Sequence, residues 1–103
     1  MNPTTKYSFD RIFEFSPEDY SQVANQLLEE IGERQFLSTT LTVELDTFDA
    51  TFIATLIVYR TSEGDIRDVV PVWWEMHTCE SDTCEEVLND FSFGELRGLL
   101  TVS

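Results

Sequence analysis

The spacing of apolar positions divides the chain into segments of different period. Tyr7, Phe9, Phe13 and Phe15 share one parity that Arg11 interrupts, which predicts a strand over 7–15, bulged near Arg11 and Ile12. Ser16, Pro17, Glu18 and Asp19 then give a capping hydroxyl, a proline suited to the first helical position, and acids where the helix dipole favours them. The stripe Tyr20, Val23, Ala24, Leu27, Leu28 and Ile31 has helical spacing, and Gly32 suits the left-handed stop. Phe15 and Tyr20 stand at the spacing of a hydrophobic staple across that cap.

Period two returns over 37–45, with Leu37, Leu41, Val43 and Leu45 on odd positions and Ser, Thr and Glu on even ones, the pattern of a strand with one wet face. After a turn at 47–49, the run 52–59 is apolar on both parities and predicts a central strand. A glycine-containing turn at 61–65 leads to a third run, 66–79. Its even positions Ile66, Val70, Val72, Trp74 and Met76 form one face, with Val69 and Trp73 on the other. Pro71 places this strand at an edge or a bulge, because proline cannot donate to a ladder.

Beyond Cys79 the pattern reads as helical. Asp82 to Glu85 fits a cap, with Val87, Leu88 and Phe91 as a short apolar face, and Ser92 with Glu95 forms a second capping box leading to Leu96, Leu99 and Leu100. The expected fold is a single α+β domain over 1–103. It is an antiparallel β-meander of about four strands, with an N-terminal amphipathic helix and one or two short C-terminal helices on one face. The order helix, three strands, helix is similar to that of double-stranded-RNA-binding domains in element order alone. Asp82 to Glu86 carries the opposite sign to the lysine-rich helix start with which those domains grip phosphate.

Charge changes the picture more than length does. The 103 residues hold 20 acids against 6 bases, a formal net charge of −14, while 42% hydrophobic and 13% aromatic content is too high for a disordered chain. The bases Lys6, Arg11, Arg34, Arg60, Arg67 and Arg97 stand singly, which argues against direct nucleic-acid or anionic-membrane binding. The chain has no spanning apolar run, and its start has no apolar leader stretch, so a cytoplasmic protein is expected, with its cysteines as thiols.

Candidate chemistry concentrates between Trp73 and Glu86, which holds the histidine, both cysteines and both tryptophans. His77, Cys79 and Cys84, with Asp82 or Glu85 as a fourth ligand, offer donors that zinc accepts, but there is no second ligand pair at structural-zinc spacing. A reactive Cys84 at a helix start is opposed by Glu80, Asp82, Glu85 and Glu86, with no Lys or Arg from Asp68 to Leu96. A Cys79–Cys84 disulfide requires an oxidising compartment, and simple packing of two small residues is the remaining reading. Asp46 and Asp49 lack the rest of a calcium loop. There is no phosphate loop, nucleophile elbow or His-Glu-x-x-His, so neither a cofactor nor a reaction is indicated.

Two surfaces are candidates for protein binding. Glu18, Asp19, Glu29, Glu30 and Glu33 line one helix, with Glu29 and Glu30 near an end whose dipole disfavours acids; they suit a basic protein partner or serve as a solvated face. Trp73 and Trp74 are adjacent in a strand and point to opposite faces, so one joins the core and the other lies on the far face. With helices on one side only, Phe52, Val58, a tryptophan and their neighbours make an apolar patch for a partner or a second copy of the chain. The expected function is a small acidic binding or regulatory module, with a metal or thiol site at His77, Cys79 and Cys84 or a small enzyme as alternatives.

Overall fold

The computed structural model describes residues 12–46, 48–80 and 86–101. In chain order these form strand β1 (Ile12–Phe13), helix α1 (Pro17–Ile31), strands β2 (Phe36–Glu44), β3 (Phe48–Arg60), β4 (Ile66–Glu80) and β5 (Glu86–Asn89), and helix α2 (Phe93–Leu100). The expected strand over 7–15 is seen at Ile12–Phe13, and its predicted bulge near Arg11 falls mostly outside the described residues.

Helix α1 follows from local chemistry. The Ser16 hydroxyl accepts from the Asp19 amide (3.1 Å), and the Asp19 carboxylate accepts from the Ser16 amide (3.0 Å), so two otherwise orphaned donors are satisfied reciprocally. Phe15 and Tyr20 stack across this cap with ring centroids 5.4 Å apart. At the far end Gly32 takes φ +51° and its amide returns to the Leu28 carbonyl (3.0 Å). The acids near that end have no basic residue in the last turn of the helix to offset the dipole. Compensation comes from β3, where the Arg60 guanidinium donates to the carbonyls of Gly32 (2.8 Å), Arg34 (2.9 Å) and Gly64 (3.0 Å).

Among the described residues, five strands form one sheet in the order β1-β5-β4-β3-β2. Strands β2, β3, β4 and β5 pair antiparallel in succession, and β1 pairs parallel with β5, so the sheet is mostly antiparallel without being a simple meander. Both helices cover one face. Ala50, Phe52, Ala54, Leu56 and Val58 of β3 are buried there beneath Val23, Leu27 and Ile31 of α1 and Phe93, Leu96 and Leu100 of α2. Phe52 and Val58 therefore belong to the covered face, not to the open patch expected of them.

Pro71 lies both at an edge and at a bulge. Thr55 pairs with Trp73 but Leu56 with Pro71, so Val72 is the extra residue, and a second shift leaves out Arg67. Each bulge reverses parity. Val69, Pro71, Trp74, Met76 and Thr78 consequently share the covered side, while Val70, expected beside Trp74, pairs with Ile57 on the open side.

Glu86–Asn89 is a strand where the sequence pattern reads as helical, and the cap proposed at Asp82 to Glu85 lies outside the described residues. Non-local pairing decides this. Ile12 and Phe13 pair with Leu88 and Asn89, and the Asp90 carboxylate accepts from the Phe15 amide at 2.9 Å. The buried Thr78 hydroxyl donates to the Val87 carbonyl (2.7 Å) and accepts from Asn89 Nδ2 (3.2 Å), which ties β5 to β4. In α2 the Ser92 side chain makes no capping bond, contrary to the capping box read there; the Ser92 amide donates to the Tyr20 hydroxyl (3.1 Å) instead. Phe91, between β5 and α2, joins Phe15, Tyr20, Phe52 and Trp74 with centroid distances of 5.2–5.6 Å.

Candidate protein-binding face

The face of the sheet turned away from both helices carries the residues that alternate with the buried ones. Cross-strand register arranges them in rows: Phe36, Ile57 and Val70; then Ser38, Thr55 and Trp73; then Thr40, Ile53 and Glu75; then Thr42, Thr51 and His77; and last Glu44, Asp49 and Cys79. The face thus divides lengthwise. One end is apolar, with Phe36 59% and Trp73 46% exposed and Ile53, Ile57 and Val70 half-buried. The other end is acidic.

Trp73 borders a shallow depression of about 220 Å³ with Ser38, Thr40, Ile53 and Thr55, and the Ser38 and Thr55 hydroxyls share a hydrogen bond of 2.8 Å. Trp74 turns the other way and packs on Phe91 and Phe93 at centroid distances of 5.3 and 6.2 Å. The adjacent tryptophans are thus split between core and open face, as strand geometry requires.

At the acidic end Glu44 pairs directly with Asp49, a like-charge pair that destabilises a ladder. His77 sits between Glu86 (Nδ1 to Oε2, 2.6 Å) and Glu75 (Nε2 to Oε1, 2.9 Å). A neutral imidazole has only one N–H, so both contacts are hydrogen bonds only when the ring is protonated. The hydrogen bond to Glu86, and then that to Glu75, raises the His77 pKa above its ordinary 6.5. The stabilisation from this bridge is full below that ordinary value and is lost as pH rises through the higher folded one. Because the ring is nearly half exposed, it amounts to about 1 kcal/mol or less. Urea denaturation of the native protein and of His77→Ala between pH 5.5 and 9 (roughly, the imidazole range) should show the native margin shrinking as pH rises. A margin constant across that range would contradict the bridge.

The proposed metal residues are only partly brought together. His77 and Cys79 lie on the same face of β4, and Cys84 lies outside the described residues. The two ring nitrogens of His77 address different carboxylates, and among the described residues no group of three His, Cys, Asp or Glu is placed to hold a metal ion. No helix among the described residues is long and apolar enough to cross a membrane.

The acids of α1 lie on the opposite surface from this face, because the helix buries its other side on the covered side of the sheet. Glu18, Glu29 and Glu33 are exposed, Asp19 is committed to the cap, and Glu30 accepts weakly from the Thr39 hydroxyl (3.4 Å). The helix acids and Trp73 therefore form two separate surfaces, and Trp74 belongs to neither. Sequence reasoning missed the part of Glu44, Asp49, Glu75 and Glu86 in the open face. Its alternation signalled Glu44, but the row it shares with Asp49 depends on β3 beginning at Phe48.

On α2, Arg97 holds Asp68 of β4 with two bonds of 2.7 Å, and this pairing lowers the Asp68 pKa. Near the start of α1, Tyr20 has its pKa raised by burial, then partly lowered by the Ser92 amide, with Asp90 and Glu95 adding repulsion. No protein-family model, curated protein or solved structure matches this chain.

Proposed function

We propose that this chain is a non-catalytic protein-binding module that seats a basic protein on its open sheet face. The observation that carries this reading is the division of that face into an apolar half around Trp73 and an acidic half around Glu44, Asp49, Glu75 and Glu86. An apolar area that the described residues leave uncovered, rimmed by polar groups, is the composition of an interaction surface, and Trp73 gives it an exposed aromatic on its β4 side. The Glu44–Asp49 opposition costs stability in the isolated chain, and a cationic partner would relieve it. A net charge of −14 makes association with a second copy repulsive and attraction of a basic protein long-ranged. The exposed acids of α1 add to that steering from the far side without forming part of the contact.

The test is site-specific photo-crosslinking in lysate at about 0.15 M salt, where screening acts beyond ~8 Å. A benzophenone side chain placed at position 55, in the middle of the open face, should capture a basic protein. The same group at position 26, on the outer side of α1, should not. Capture only from position 26, or from neither, would overturn the reading.

A further inference from the structure

Among the described residues, no strand fills the lane beside the middle of β4. Strand β5, as far as it is described, pairs with β4 at Thr78–Val87 and Cys79–Glu86; Leu88 and Asn89 then leave to pair with β1. Below that point the edge of β4 facing away from β3 has no strand beside it among the described residues, down to the bulge at Val72. Asn89 Nδ2 takes the Met76 carbonyl (3.2 Å), so Met76 turns its carbonyl toward this lane. Trp74, two residues along a pleated strand, turns its N–H and C=O the same way. A cleft of about 780 Å³ opens here, with Trp74, Met76 and Phe91 on its covered side and Glu75, His77, Glu86 and Leu88 on its open side. The far end of the lane is closed to pairing by Pro71, which has no N–H, and by the Arg97–Asp68 bridge.

We propose that this lane accepts a short extended segment of a basic partner as an added strand. Main-chain bonds to the N–H and C=O of Trp74 and to the N–H of Met76, whose carbonyl already holds Asn89 Nδ2, supply the register. Alternate side chains meet opposite surfaces, so the segment carries apolar residues toward Trp74, Met76 and Phe91 and lysine or arginine toward Glu75 and Glu86, where it shares the two carboxylates with His77. The basic choice rests on charge complementarity: the cleft lining contains two carboxylates against the single His77 that bridges them, and no Lys or Arg, so it stays net acidic in a chain of net charge −14. This refines the protein-binding reading by naming the partner's docking segment, and it depends on that reading only for the partner's basic character.

The probe is a capped heptapeptide alternating lysine and valine, titrated into the full-length, isotope-labelled protein and followed by amide NMR. Saturable shifts should centre on Trp74, Met76 and Leu88, and the Trp74 amide should exchange with solvent about tenfold more slowly, a gain in protection of about 1.4 kcal/mol. A peptide with glutamate in place of lysine, and one with proline at its centre, should each bind at least about tenfold more weakly. No saturable shift up to about 1 mM peptide, shifts centred on Thr55 and Trp73, or equal binding of the proline peptide would overturn the added strand. Edge-to-edge dimerisation through the same amides, seen as concentration-dependent mass, would also overturn it. Crosslinking from position 55 tests the open face separately, so either proposal can fail alone.

Discussion

Phe91→Ala is expected to lower stability by about 3–5 kcal/mol, the cost of emptying a large aromatic site that cannot collapse. Phe91 is 8% exposed and touches rings from four different parts of the chain: Phe15 before α1, Tyr20 within it, Phe52 on β3 and Trp74 on β4. Its own segment carries the chain from β5 to α2, so the ring couples the β1–β5 pair to the main sheet and both helices. Urea denaturation followed by tryptophan fluorescence measures the effect, which is a large share of the roughly 5–15 kcal/mol that holds a small domain together. Leu99→Ala, at a side chain 47% exposed on α2, should cost within about 0.5 kcal/mol and serves as the control. A loss at position 91 of under about 1 kcal/mol would mean that the aromatic cluster is not the joint of the fold.

The second large effect separates two neighbours. Trp74→Ala removes a ring that packs on Phe91 and Phe93 and should cost about 3 kcal/mol or more. Trp73→Ala removes a ring that is 46% exposed, next to Ile53 and Thr55, and should leave stability within about 0.5 kcal/mol. Its cost appears in binding. As the exposed aromatic of the apolar half of the open face, Trp73 should carry about 2 kcal/mol of partner affinity or more, a loss of over tenfold.

What the sequence made legible was local. Helix α1 could be bounded at both ends because Ser16, Pro17, Asp19 and Gly32 act within a turn of themselves. Strand β2 could be assigned a wet and a dry face because nothing breaks its alternation. The faces of β4 could not, since bulges at Arg67 and Val72 reverse parity twice and are set by the register of β3. Strand β5 was hidden for a related reason. Val87, Leu88 and Phe91 fit helical spacing, and the pairing that overrides it comes from Ile12 and Phe13 at the other end of the chain. The acids at the end of α1 looked unexplained by local stability; the compensating charge is Arg60, 28 residues from Gly32.

The same limit applies to the proposed binding face. The opposed tryptophans follow from adjacency in a strand, but which one is exposed depends on the bulge at Val72. The acidic half follows from pairings that bring Glu44 beside Asp49 and Glu86 beside His77. Among the described residues, acids accordingly populate both sides of the sheet, Glu18, Glu29 and Glu33 on the helix side and Glu44, Asp49 and Glu75 on the open face. On the proposed reading, an acidic surface on both sides would draw a basic protein from any direction, and the exposed apolar half on one side would decide where it is held.

The most direct measurement compares the dissociation constant of the captured partner for the native protein, Trp73→Ala and the helix-face variant Glu29→Gln, with melting temperatures taken on the same samples. Binding should weaken more than about tenfold in Trp73→Ala at unchanged melting temperature, and less than about twofold in Glu29→Gln. Full affinity in Trp73→Ala, with the larger loss in Glu29→Gln, would place the contact on α1 and contradict the open face as the binding surface.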